Sequence, residues 1–208
     1  MIRMNWTSLF VNAKNLKVFI LGTGEVATRR ANRFLDCGAE VVLAGSHLDN
    51  KLKNKGAILV SKDVAEEFAK KADLVVIASD DIELSEKIAS MSNDKLLNRA
   101  DFPEEGNIIV PTTFSIGDAE ISIFTNCKSP LMARTLRKKI QSTITEEDIK
   151  KIELQDFARN LLKEKVSNQK LRKEILYSIS RNDLINEHIS NNEIEKAKRG
   201  IEEIIDDY

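Results

Sequence analysis

Gly22, Gly24 and Ala27, in "LGTGEVA" (residues 21–27), have a spacing that suits pyrophosphate binding. In such a G-x-G-x-x-A loop the first glycine makes the tight turn and the second lets the backbone approach the phosphates. The small third residue lets the following helix pack near the sheet. Thr23, Glu25 and Val26 complete the loop and the first helical turn, so residues 22–26 are all candidate cofactor contacts. An ordinary strand-to-helix turn can share this spacing, so context decides, and here an apolar strand precedes the loop and a helix follows it. Valine at Gly22 or Gly24 is expected to fill the phosphate space and leave the fold intact. The usual acidic reader of the ribose is missing after the second strand, where "AGSHLD" (44–49) offers Ser46 and His47, with Asp49 a little late. Ser46 could bond a ribose hydroxyl and His47 could flank it. No basic residue follows until Lys51, which favours NAD over NADP. At the end of another strand, "IASDD" (77–81) puts Ser79 and Asp80 where ligands bind in such folds. Asp80 could equally cap the next helix.

Two other stretches carry charge that could do work. Asp101 follows a strand and could serve as a base or simply as a turn residue. "IFTNCKSPLMARTLRKKI" (123–140) holds five basic side chains, and no Asp or Glu occurs from Ile121 to Thr145. Lys128, Arg134, Arg137, Lys138 and Lys139 suit an anion. Ser129 reads as a helix cap and Pro130 as the first helical residue, so a helix N-terminus would face that anion too. Thr125 and Ser129 can donate hydroxyl hydrogen bonds. On a helix Lys139 diverges from Arg134, Arg137 and Lys138, and some of these cations form only a solvated face.

These residues need a scaffold. Short apolar runs at 16–21, 39–45, 57–61, 73–79 and 94–98 read as strands, separated by helical patterns at 25–38, 63–72 and 81–91. That alternation predicts a parallel sheet covered on both faces. Val26, Arg30 and Phe34 line up along the first helix, and Gly38 is placed to stop it. Residues 107–125 read as an antiparallel pair around Gly117-Asp118. The chain beyond is helical in pattern, with a capping box at "TEED" (145–148) and later helices at 168–181 and 192–207. Boundaries fall near 113 and 142, giving a nucleotide-binding domain (1–113), a middle region (114–142) and a helical C-terminal domain (143–208).

The 208 residues are long enough to bury a core, and 31% of them are charged, with a formal net charge of −1. That balance gives no global reason to expect nucleic acid, so the basic segment is a local feature. Two cysteines, Cys37 and Cys127, form no metal-binding pattern and fit a reducing cytoplasm. No apolar run reaches the ~18 residues needed to span a membrane. The first fifteen residues lack a signal peptide's apolar core.

The sequence "LGTGEVATRRANRFLDCGAEV" (21–41) resembles the opening of the precorrin-2 dehydrogenases of siroheme biosynthesis, which share the glycine loop, Val-Ala, a basic pair and a Gly-Ala before the second strand. "LNRADF" (97–102) resembles their Asn-x-x-Asp segment, "NIIVPTTF" (107–114) their Phe-x-x-Pro strand, and "FTNCKSPLMARTLRKKI" (124–140) their Ser-Thr-Gly-Gly-x-Ser-Pro, Ala-Arg, Leu-Arg segment. The likeness runs from residue 5 to about 145.

The resemblance implies a Rossmann-like α/β domain, an antiparallel dimerisation region and a helical C-terminal domain, assembled as a homodimer. It implies oxidation of precorrin-2 to sirohydrochlorin with NAD, and in some members metal insertion, with no metal ligand identified. The substrate bears eight carboxylates, which answers the acid-free basic segment: Thr125, Lys128, Ser129 and Arg134 become its expected contacts. Asp101 becomes the expected catalytic base, with Asp80 and Asp118 as competing carboxylates. The chain departs from the pattern at Thr23, Phe124, and Asn126-Cys127, which stand where a glycine, a hydroxyl residue and Gly-Gly are usual. A bulkier loop, and so a different substrate pocket, is expected there. Two other readings stay open: a nucleotide-sensing domain without catalysis, and an oxidoreductase for another small anion.

Overall fold

A computed structural model describes residues 6–208, which divide into two compact units, with the division between Val110 and Pro111. In the first unit five strands, β1 (Lys17–Leu21), β2 (Glu40–Ala44), β3 (Ile58–Val60), β4 (Leu74–Ile77) and β5 (Leu96–Arg99), form one sheet in the order β3-β2-β1-β4-β5, all parallel. The helices between them are α1 (Glu25–Asp36), α2 (Asn50–Asn54), α3 (Ala65–Lys71) and α4 (Ile82–Ser90). The order reverses between β1 and β4, and the crevice of such a sheet opens at that point, beyond the carboxyl ends of the strands.

Why these runs become central strands is visible in their side chains. Val18 and Ile20 of β1, with Leu74 and Val76 of β4, join one core that includes Ala27 and Ala31 of α1. Phe19, Leu21, Val75 and Ile77 join the core on the opposite face, with Ala65 and Ala69 of α3 and Ile88 of α4. Successive residues point to opposite faces, so a strand covered on both sides must be apolar throughout. The buried positions of α1 are Ala27 and Ala31 rather than the expected line through Val26, which lies exposed. Small side chains let the helix backbone lie close to the sheet, and that contact sets the helix's rotation. Gly38, with φ +80, ends the helix as expected.

In the second unit β6 (Thr112–Ile116) and β7 (Ala119–Ile123) pair antiparallel across Gly117-Asp118. Gly117 adopts φ +54, and a side chain there would strike Ile149, so both the turn and its packing call for glycine. The remaining helices are α5 (Pro130–Gln141), α6 (Glu146–Lys165), α7 (Gln169–Ser180), α8 (Asp183–Ser190) and α9 (Ile194–Asp206). Leu154, Ala158 and Leu162 of α6 meet Ile175 and Ile179, Ile185 and Ile189, and Ala197, Ile201 and Ile205 of the later helices. The sequence pattern left α8 unassigned. It is short, capped by Asn182, whose side chain accepts from the Ile185 amide.

The start of α6 is the expected capping box, with Asp148 at its third position. Thr145 Oγ1 accepts from the Asp148 amide, and Asp148 Oδ2 accepts from the Thr145 amide at 2.8 Å. Thr145's amide, and then its hydroxyl, hold the Asp148 carboxyl below the usual carboxylate range. A depressed folded value contributes stability that is complete above the unfolded value and lost as pH falls through the folded one. We therefore expect Thr145→Ala to cost about 1 kcal/mol at neutral pH. Asp148→Asn should also destabilise at neutral pH, and its deficit should close as pH falls through and below the carboxylate range. Urea unfolding across that interval measures it, and a deficit that persists undiminished in acid would contradict the assignment.

Candidate active site

The glycine loop joins β1 to α1 at the order reversal. Gly22 has φ +115, and a Cβ built there would collide with the Ala78 carbonyl oxygen. The first glycine therefore does two things: it makes the turn and it admits the end of β4. Gly24 differs. Apart from its own chain neighbours, nothing among the described residues lies within 4 Å of where its Cβ would be. It caps α1 without any side-chain hydrogen bond, so the first amides of the helix are left to an incoming group. Open space over uncapped helical amides fits a dinucleotide pyrophosphate, and fully buried Ala27 supplies the close helix contact beneath it.

The other expected cofactor residues gather on this edge. Thr23 lies over Gly45 at the end of β2, where a Cβ would come within 2.5 Å of Thr23 Cγ2. That contact ties the glycine loop to the strand end preceding Ser46 and His47, both exposed. Asp49 turns away to cap α2, accepting from the Lys51 amide at 2.7 Å. Glu25 and Val26 are exposed on the first turn of α1, and Glu25 pairs with Arg29. Ser79 follows directly on Ala78, and its Oγ accepts from the Asp81 amide at 3.2 Å. The cap of α4 is Asp81, which accepts from the Leu84 amide and pairs with Lys62, and so Asp80 is left exposed and free of that task.

Asp101 leaves the carboxyl end of β5, two strands from β1 and thus roughly 10 Å along the edge from the glycine loop. The Ala100 amide donates to the Ile77 carbonyl, which holds this exit against β4. Asp101 is not a loose turn residue. Arg99, only 2% exposed, donates from Nε to its Oδ1 at 2.9 Å and from Nη2 to its Oδ2 at 2.8 Å. The sequence reading missed Arg99. An arginine inside a buried apolar strand was the available signal, because such a cation requires acidic partners. Gly45 and Ala78 were also missed. Their roles are backbone contacts, which no side-chain pattern announces.

In the second unit Ser129 caps α5, its Oγ accepting from the Met132 amide at 3.1 Å, and Pro130 opens the helix as expected. Lys128 and Arg134 are exposed. The Thr125 hydroxyl donates to the Ser129 carbonyl at 3.1 Å and so helps close the loop, while its oxygen can still accept a hydrogen bond. Arg137 stacks on Phe114, 5.6 Å from the ring centre, and serves packing within this unit. Asn126 and Cys127 both have φ 56, and the Lys128 amide donates to the Thr125 carbonyl across them. The loop thus has the left-handed backbone that a glycine pair would adopt, built from bulkier residues. Among the described residues no group of three His, Cys, Asp or Glu side chains is arranged to hold a metal.

Three outcomes follow from this geometry. Gly24→Val should abolish NAD binding in calorimetry while the melting temperature holds. Gly22→Val should lose the fold itself, contrary to the expectation from sequence, and a stable Gly22→Val protein would refute the contact with Ala78. Cys127→Gly should raise stability by about 1 kcal/mol, since a left-handed non-glycine residue is strained by roughly that amount. Chemical denaturation of the two proteins decides it.

Comparison with known proteins identifies the family of the chain. An NAD(P)-binding family model matches residues 9–112. The precorrin-2 dehydrogenase of Methanosarcina barkeri is 30% identical over 217 residues, covering 98% of this chain and 95% of that protein. The siroheme synthase of Ruthia magnifica is 27% identical, covering 98% of this chain but 44% of that longer protein. The solved structure of SirC, precorrin-2 dehydrogenase, superposes with a TM-score of 0.78 over 98% of this chain and 100% of its own, and at 23% identity that likeness establishes the fold. The α/β architecture, the small antiparallel sheet and the helical C-terminal region are those expected. With a full-length relative at this identity, the chain belongs to the precorrin-2 dehydrogenase family.

Proposed function

We propose that this chain oxidises precorrin-2 to sirohydrochlorin with NAD. The observation that carries the reading is the 30% identity to the Methanosarcina barkeri precorrin-2 dehydrogenase along 98% of the chain. It is supported by a glycine loop whose open side and uncapped helix start fit the cofactor. Bound there, NAD+ supplies the hydride acceptor. Gly22, Thr23, Gly24 and the first turn of α1 hold its pyrophosphate, with Ser46 and His47 toward the ribose and Ser79 and Asp80 along the crevice. Asp101 accepts the proton released from the macrocycle. Each turnover then removes one hydride and one proton, two electrons in all.

Lys128, Ser129 and Arg134 hold the substrate's carboxylates, by charge at Lys128 and Arg134 and by the hydroxyl and helix start at Ser129. In this reading residues 114–142 also carry the contact between two copies of the chain, and the exposed Leu131 and Met132 of α5 supply apolar surface for it. The reading places the enzyme in the cytoplasm, where the free thiols of Cys37 and Cys127 persist. No helix among the described residues is long and apolar enough to cross a membrane.

Asp101→Asn is the decisive variant. Asparagine keeps the size of the side chain and one acceptor for Arg99, which Glu86 and Glu105 still pair, but it cannot take the proton. A positioned general base is worth roughly 10²–10⁴ in rate. We expect kcat to fall by that factor with NAD and tetrapyrrole affinity retained, followed by the appearance of the sirohydrochlorin spectrum. Wild-type turnover would move the role to another carboxylate, Asp80 first. Lys128→Ala and Arg134→Ala should each raise the KM for the tetrapyrrole about tenfold and leave NAD affinity alone. Unchanged KM in both would make this segment a solvated face or a contact between copies.

A further inference from the structure

We propose that Arg99, braced by Glu86 and Glu105, is the positioning residue for Asp101. The proposal rests on the reading of Asp101 as proton acceptor and adds what holds that acceptor in place.

Arg99 is the last residue of β5 and its side chain is 2% exposed. A cation so buried is costly unless its donors are satisfied. All three guanidinium nitrogens are. Nε and Nη2 grip the two oxygens of Asp101, and Nη2 also donates to Glu86 Oε1 at 2.7 Å. Nη1 pairs with Glu105 Oε2 at 3.0 Å, and the guanidinium carbon lies 5.2 Å from the centre of the Phe102 ring. The three acids come from three places: α4, the second residue after β5, and the short 3-10 turn at Pro103–Glu105.

The three bonds are not equivalent. Glu86 and Glu105 are 56% and 54% exposed, whereas Asp101 is 18% exposed and receives the two-pronged grip. Such a fork fixes the plane of a carboxylate as well as its position. An ionised carboxylate has about four lone-pair sites, so two remain for an incoming proton while Arg99 occupies the others. Hydrogen bonding to Asp101, and then to Glu86, holds the guanidinium above its ordinary value, and an arginine stays cationic whichever state Asp101 is in. The outer acids anchor the arginine from the solvent side. The arginine in turn anchors the one acid that is turned inward.

The test uses the full-length enzyme with precorrin-2 and NAD+. Arg99→Lys keeps the charge and removes the fork. We expect kcat to fall about tenfold to hundredfold, as for a catalytic group displaced by ~1 Å. The KM for NAD+ should stay unchanged. In an Asp101→Asn background, Arg99→Lys should cause no further loss, because both changes act on one group. The double variant Glu86→Gln/Glu105→Gln leaves the fork but loosens its anchor. It should lower kcat on the order of threefold, the low end of coupling within one network. It also decides the matter should Arg99→Lys not fold. Wild-type kcat in the brace variant, wild-type kcat in Arg99→Lys, or additive loss in the Asp101→Asn background overturns the proposal. If Asp101→Asn alone turns over normally, the base reading has failed first. If only Asp101→Asn loses turnover, the base reading stands and the positioning role does not.

Discussion

The close approach of Gly22 to the Ala78 carbonyl governs the rest of the nucleotide-binding unit. Adjacent parallel strands β1 and β4 must part company at their carboxyl ends, because their helices run to opposite faces of the sheet. The chain leaving β1 has to turn hard while still touching the end of β4. Only a residue without Cβ, and with access to φ near +115, can do both. The consequences run along the edge. With the turn made, Gly24 stands clear over the first amides of α1, and Thr23 swings across to lie on Gly45. Strand ends β2, β1 and β4 are thereby brought into one rim before any cofactor arrives.

Buried charge in this unit is handled in two contrasting ways. Arg99 is buried and fully partnered, and its acids hold its proton more tightly than usual. Arg30, on α1, is also largely withdrawn from water, but its Nε and Nη1 have no acceptor among the described residues. Burial, and then the nearby Arg29 and Arg33, push it down to about 10, still far enough above neutrality for it to remain charged. A buried donor without an acceptor costs roughly 1–3 kcal/mol, so Arg30 is a net expense to the helix that carries it. The same residue type thus stiffens one element and strains another, and the difference lies wholly in the acids within reach.

Much of this unit was legible in the sequence because apolar runs and glycine spacing have few meanings. "LKVFIL" and "DLVVIAS" have little option but to be central strands, and a G-x-G-x-x-A loop between strand and helix leaves few topologies open. What stayed hidden depends on contacts between segments. The sheet selects Ala27 and Ala31 as the inner face of α1, because backbone proximity counts for more there than side-chain size. Asp80 and Asp81 are equivalent as letters, and only the register of α4 makes the second one the cap. Helix α8 was invisible because eight residues carry too little periodicity to stand out. Asp101 was legible by resemblance, yet the arginine that grips it was read as one more letter of the motif.

The loop before α5 shows what a motif preserves when its residues change. Asn126 and Cys127 stand where the family resemblance places two glycines, and both take the left-handed conformation. Asparagine reaches it at modest cost, since its short side chain tolerates that region, whereas cysteine has no such relief. The tight turn persists all the same, closed by the Lys128 amide on the Thr125 carbonyl and by the Thr125 hydroxyl on the Ser129 carbonyl. Those two bonds, with the Ser129 cap, supply enough order to hold an unfavourable backbone at two successive residues. The turn sets the entry of the chain into α5, and so the place of Lys128 beside the first helical amides. The requirement at this site is a backbone path, and glycine is only the least strained way of meeting it.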